Sequence, residues 1–211
     1  MKKFLIPILI LIIAAGILIY YFVFSKEKNT TTSSPSPSLI ASSSPTENPN
    51  GLVEPIVQFK QRITKKPFGI YITPQNSPVQ PERFSGYHTG ADVEYEDVTA
   101  DVPVYAIADG KVVYSQYVSG YGGVFMIEIQ LNGAAHTILY GHIRPSSLPK
   151  VGAVVSKSEQ LAVLGTGYST ETDNERRHLH FGVLSNNRID VKGYVQSESQ
   201  LSGWIDPVSL Y

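Results

Sequence analysis

Residues 102–142, VPVYAIADGKVVYSQYVSGYGGVFMIEIQLNGAAHTILYGH, decide the fold of this chain. Short runs of Val, Ile, Tyr and Phe are divided by turn residues, and no apolar stripe at helical spacing is sustained. The runs at 102–107, 111–117, 124–131 and 136–140 read as strands, divided by Asp109-Gly110, the glycine cluster at 120–123 and Asn132-Gly133. Asn132-Gly133 is the strongest hairpin signal, because both central positions of a type I′ turn need positive φ, which Asn and Gly tolerate. Working outward, 161–164 and HLHFGVL at 178–184 continue the pattern, and Ala91-Asp92-Val93-Glu94-Tyr95 alternates apolar and polar as a further strand. The expectation is an all-β domain of meandering antiparallel sheets over 53–211, and a helical bundle is excluded. Residues 53–80, rich in Lys, Pro and Gln without periodicity, suggest no role.

Upstream the composition changes twice. Residues 4–24, FLIPILILIIAAGILIYYFVF, carry no charge. As a helix rising about 1.5 Å per residue they measure roughly 31 Å, the thickness of a bilayer's hydrocarbon core. The run is longer than a signal-peptide core and no small-x-small cleavage site follows it, so a transmembrane anchor helix is expected there. Tyr20, Tyr21 and Phe22 suit an interfacial belt, while Lys2 and Lys3 before the run and Lys26 and Lys28 after it leave orientation undecided by charge. Residues 25–52, dominated by Ser, Thr, Pro and Asn, have too little apolar surface to offset the entropy of ordering and read as a disordered linker.

Composition also excludes whole classes of chemistry. The formal net charge of the 211 residues is −1 and Lys and Arg form no block, so nucleic acid is not an expected partner. There is no cysteine, which removes thiolate metal ligands, a cysteine nucleophile and disulfides. Any metal must then sit on His and carboxylate groups.

All five histidines fall between 88 and 180, four of them in the short motifs His88-Thr-Gly-Ala-Asp92, Tyr140-Gly-His142 and His178-Leu-His180. Along a straight strand His88 and Asp92 would stand about 13 Å apart, too far to share a metal, so the chain must bend at Thr89-Gly90. His178 and His180 are two apart on a strand and point to one face, where burying two imidazoles is costly unless they are hydrogen-bonded or metal-bound. His142 ends a strand, where functional groups are commonly presented. His136, six residues earlier, is read as structural, with Gly141 expected to break strand regularity between them. Motif chemistry alone supports a metal cluster without dividing its members into ligands and helpers.

In this order, H-T-G-A-D, then Y-G-H-I, then H-L-H-F-G-V, the sequence resembles the M23 family of metallopeptidases, the LytM or lysostaphin type. The likeness extends through VPVYAIADGKVVYS, GYGG, KVGAVVSKSEQLAVLGTGYST and WIDP, roughly residues 84 to 208. It implies an all-β, barrel-sandwich-like core and one Zn2+ held by His88, Asp92 and His180, with His142 and His178 assisting catalysis from either side of a water. An open position beside two histidines and one carboxylate is also what catalytic zinc chemistry requires. The implied reaction is endopeptidase cleavage of peptide cross-links or bridges in bacterial peptidoglycan. The implied location is a single-pass anchor in the cell membrane, with the catalytic domain extracytoplasmic.

The sequence departs from the family pattern at Thr89 and Ala91, neither of which supplies a ligand, and in the charged insertion Glu171-Thr-Asp-Asn-Glu-Arg-Arg177. That insertion is expected on the cleft rim, where Arg176 or Arg177 would either bind a substrate carboxylate or remain in a solvated loop. Rival readings are a non-catalytic relative that regulates a separate wall hydrolase, which the complete residue set disfavours, and a barrel-sandwich carrier module, which lacks its Met-Lys-Met hairpin here. An HExxH mechanism is excluded by inspection.

Overall fold

The computed structural model describes residues 47–211. The anchor expected at 4–24 and most of the linker expected at 25–52 lie outside the described residues. Among the described residues no helix is long and apolar enough to cross a membrane.

The described chain contains strands β1 (Tyr71–Ile72), β2 (Gly86–His88), β3 (Gly90–Glu94), β4 (Pro103–Tyr105), β5 (Gly110–Val118) and β6 (Gly122–Leu131), followed by β7 (Ala134–Ile143), β8 (Val154–Val155), β9 (Gln160–Val163), β10 (His178–Leu184), β11 (Tyr194–Val195) and β12 (Trp204–Ile205). Its helical segments are short 3₁₀ turns. The largest sheet runs β12-β10-β7-β6-β5-β8, with β3 also paired to β10; β1-β2-β11 and β4-β9 form smaller sheets. All pairings among these strands are antiparallel. The expected mostly-β, antiparallel architecture is what forms.

The hairpin β6-β7 turns at Asn132 and Gly133, whose φ values of 52° and 80° are both positive, as the Asn-Gly pair demands. One face of the large sheet packs Phe125, Ile127, Tyr140, Phe181 and Val183 into the main core, with Phe125 and Tyr140 stacked at 4.5 Å. The stretch 53–80 is not idle: Ile56 and Phe59 are fully buried, and Phe59 meets Phe181 edge-on at 5.4 Å. Contacts begin earlier still, since Glu47 bridges Val53 and Asn48 Nδ2 donates to the Leu210 carbonyl at 2.5 Å.

Two details of the fold position the site. Gly123 pairs with Ile143 while Val124 pairs with Gly141, so the extra residue of a bulge is His142, which has a φ of +61°. The break in β7 was expected at Gly141; it falls one residue later and lies inside the strand. The bend between His88 and Asp92 occurs where the chain passes from the small sheet in β2 to the large sheet in β3. Gly90 is required there for close approach, because a Cβ would come within 2.6 Å of the Phe181 carbonyl oxygen and 2.9 Å of the His180 ring.

Candidate metal centre

β10 lies between β3 and β7, and its register puts His180 directly opposite Asp92 on one side and Gly141 on the other. Strand alternation turns His178 and His180 to the same face, and β2 delivers His88 from the small sheet. The result is a triangle of atoms: His88 Nε2 to His180 Nδ1 3.0 Å, His88 Nε2 to Asp92 Oδ1 3.2 Å, and His180 Nδ1 to Asp92 Oδ1 3.1 Å. All three residues are buried. They are the group among the described residues whose donor atoms converge as metal ligands would.

The chemistry of this triangle fits a divalent cation. His88 Nδ1 donates to the Pro67 carbonyl at 3.1 Å, so its Nε2 presents a lone pair to the triangle. Asp92 Oδ1 also presents lone pairs, and a single proton on His180 Nδ1 cannot serve both neighbours. Lone pairs facing one another in a buried site are satisfied by a metal ion. A tetrahedral zinc with bonds of about 2.0–2.2 Å would hold such atoms roughly 3.3–3.5 Å apart, a few tenths of an ångström from the spacing seen. Residues outside the sequence motifs complete the setting. Pro67, in the stretch to which no role was given, fixes the His88 tautomer. The Tyr194 ring lies 5.2 Å from His88, and its hydroxyl accepts from Lys66 Nζ at 3.0 Å. Lys66 is buried and paired with Glu82. No motif exposes these residues to a sequence reader, because their contacts with one another and with the site span up to 128 positions.

Asp92 faces two ways. Its Oδ2 accepts from Arg176 Nη2 at 2.7 Å and lies 3.4 Å from His178 Nε2. Burial alone would raise the Asp92 pKa, but the attraction of His88, His178 and Arg176 holds the carboxyl well below the usual carboxylate range. Arg176 is itself buried and chelates Glu94, Nε lying 2.9 Å from Oε2 and Nη2 2.8 Å from Oε1. The expectation for Arg176 is therefore corrected on both counts. It neither waits for a substrate carboxylate nor lies in a solvated loop, because its donors are committed to Glu94 and Asp92. Burial keeps Glu94 above its ordinary pKa despite this partner.

His142 and His178 stand beside the triangle with ring centroids 4.0 Å apart. His178 Nδ1 donates to the Arg176 carbonyl at 2.9 Å, which places its lone pair on Nε2. Burial pushes the His142 pKa down to about 3 and drives His178 well below its ordinary value, so both rings are neutral at physiological pH. All five residues line one cleft of about 400 Å³ whose wall includes Tyr121, Tyr194 and Glu175. His136 lies apart from them, bonded through Nδ1 to the Leu184 carbonyl at 2.9 Å. Of the charged insertion, Glu175 does reach the cleft rim, held by Arg83 at 2.7 Å.

No curated protein sequence matches the chain. Similar solved structures include LytU, 28% identical over 71% of this chain and 83% of that one, with a TM-score of 0.45. The SpoIIIAH and SpoIIQ complex is 16% identical over 76% and 99%, with a TM-score of 0.48. A zinc-containing peptidase from Vibrio cholerae is 21% identical over 72% and 47%, with a TM-score of 0.41. The model of peptidase family M23 matches residues 86–191, which is half of the 211. The match opens on the strand that carries His88 and runs past the one that carries His178 and His180; this chain belongs to peptidase family M23.

Proposed function

We propose that this protein is a zinc metalloendopeptidase that cleaves peptide cross-links or bridges of bacterial peptidoglycan. The observation that carries the reading is one cleft holding the His88, Asp92 and His180 triangle with two further neutral imidazoles beside it. His88 through Nε2, His180 through Nδ1 and Asp92 through Oδ1 would hold the ion. When bound, zinc supplies Lewis acidity, which acidifies a water and polarises a peptide carbonyl.

The chain's own groups handle the protons. His178 carries its lone pair on Nε2, fixed by the Arg176 carbonyl, and so accepts a proton and returns it to the leaving amine. His142 donates a hydrogen bond to the oxygen on which negative charge develops. Arg176 holds Oδ2 of Asp92 so that Oδ1 stays turned to the metal position. Burial of both rings keeps them neutral, as an acceptor and a neutral donor must be.

The reading also places the domain outside the cell membrane on the anchor at 4–24, where peptidoglycan peptides are its partners. Metal analysis of the purified chain should find one zinc per chain, and incubation with peptidoglycan should release cleaved muropeptides. Replacing His178 by Ala should lower turnover about 10²–10⁴-fold with zinc retained. A chain without zinc, or an H178A variant of undiminished turnover, would refute the reading. External protease should degrade the domain on spheroplasts; protection until lysis would refute the topology.

A further inference from the structure

Arg177 follows Arg176 and its side chain takes the opposite side of the strand direction, away from the histidines. Arg177 is buried, 8% exposed, yet among the described residues the single hydrogen bond of its side chain runs from Nη1 to the Val98 carbonyl. Its Nε is buried without a partner, and no carboxylate among the described residues lies within ion-pair distance. The acids that attract it, Asp101 and Glu171, are engaged by Arg144 at 2.7 and 3.5 Å. Burial, then the repulsion of Arg144, lowers the Arg177 pKa. A buried cation left unpaired is unfavourable, and a ligand anion would offset that.

Arg177 borders a cavity of about 360 Å³, lined also by Arg144, Thr99, Thr166, Gly167 and Tyr168. Gly167 lets the loop close on Arg177, since a Cβ there would come within 2.7 Å of the Arg177 backbone nitrogen. Glu96 stands at the edge, bound by Lys65 and by the Tyr168 hydroxyl at 2.6 Å. Asp101 and Glu171 share Arg144, and Glu96 pairs with Lys65, so with Arg177 the named charges balance, yet Arg177 alone among these cations has no carboxylate at pairing distance. A site balanced in this way, with Glu96 nearby, suits a monoanion better than a dianion. The planar fork of a guanidinium matches the two oxygens of a carboxylate.

We propose that this cavity is a subsite for a peptide carboxylate, received by Arg177. The segment Glu175-Arg176-Arg177-His178 separates it from the catalytic cleft, since Glu175, Arg176 and His178 line one and Arg177 the other. Resting on the peptidase reading, the subsite selects peptides that carry a free carboxylate close to the cleaved bond. The sequence expectation that an arginine of the insertion receives a substrate carboxylate thus passes from Arg176 to Arg177.

Binding is measured on the full-length chain stripped of metal with a chelator, using N-acetyl-alanyl-alanine and its C-terminal amide at equal ionic strength. The free acid should bind at least about tenfold tighter than the amide, and Arg177→Met should erase that difference. Equal affinities in the wild type, or a difference that survives in R177M, would overturn the subsite. So would inorganic phosphate displacing the peptide more effectively than acetate. Should R177M fail to fold, the Nε–Hε resonance of Arg177 in the wild type must shift with the acid and not with the amide; an unmoved resonance overturns the proposal. Because no cleavage is involved, an inert chain that still discriminates acid from amide counts against the peptidase reading and for the subsite.

Discussion

Arg176 and Arg177 are consecutive, both buried, and electrostatic opposites. Arg176 sits between Glu94 and Asp92 with every contact near ideal length, and the flanking acids raise its pKa against the effect of burial. Arg177 has one carbonyl and no acid within pairing distance among the described residues. The first is part of the machinery that shapes a metal position; the second meets a cavity edge with no acid at pairing distance among the described residues. Burial of an arginine is therefore no guide to its role until its partners are counted.

The comparison can be broken by substitution. Arg176→Met should destabilise the fold by about 3–5 kcal/mol, because buried Asp92 would lose its guanidinium and Glu94 would keep only Lys65 at 3.7 Å, as chemical denaturation would show. A smaller effect comes with pH, and its sign follows from the neutral histidines. His142 binds its proton near pH 3 when folded and near 6.5 when unfolded, so its contribution is complete above 6.5 and is lost as pH falls. Between pH 7 and 5 that amounts to about 2 kcal/mol for the metal-free chain, and His142→Gln should flatten the profile. Smallest of all, and opposite in sign, Arg177→Met should stabilise the ligand-free chain by up to about 1 kcal/mol, since it removes a buried cation that has no paired acid and orphans none. Equal losses for R176M and R177M would show that the two arginines do the same structural work.

Much of this was legible in the sequence where a local rule governs. β10 was read at its observed limits because Leu179, Phe181 and Val183 alternate with the histidines. The Asn132-Gly133 hairpin was fixed by positive φ. β7 was read short, ending at Tyr140, because Gly141 and His142 resemble a terminus; pairing with both β6 and β10 carries the strand through them. Pro67, Lys66 and Tyr194 were invisible because they act through a carbonyl, a buried ion pair and an aromatic face supplied from distant segments. Arg176 was misread because charge runs are ordinarily solvated, and only the register of β10 against β3 places Glu94 and Asp92 beside it.

β10 has partners on both sides at His180, and this bears on how the centre can be lost. Sites built on loops open in local fluctuations; strands at the middle of a sheet exchange their amide hydrogens only when most of the domain opens. The amide of His180 should thus be among the slowest to exchange, and stay slow after chelation. The scaffold would outlive its ion, so that activity removed by a chelator returns on adding zinc without any refolding step.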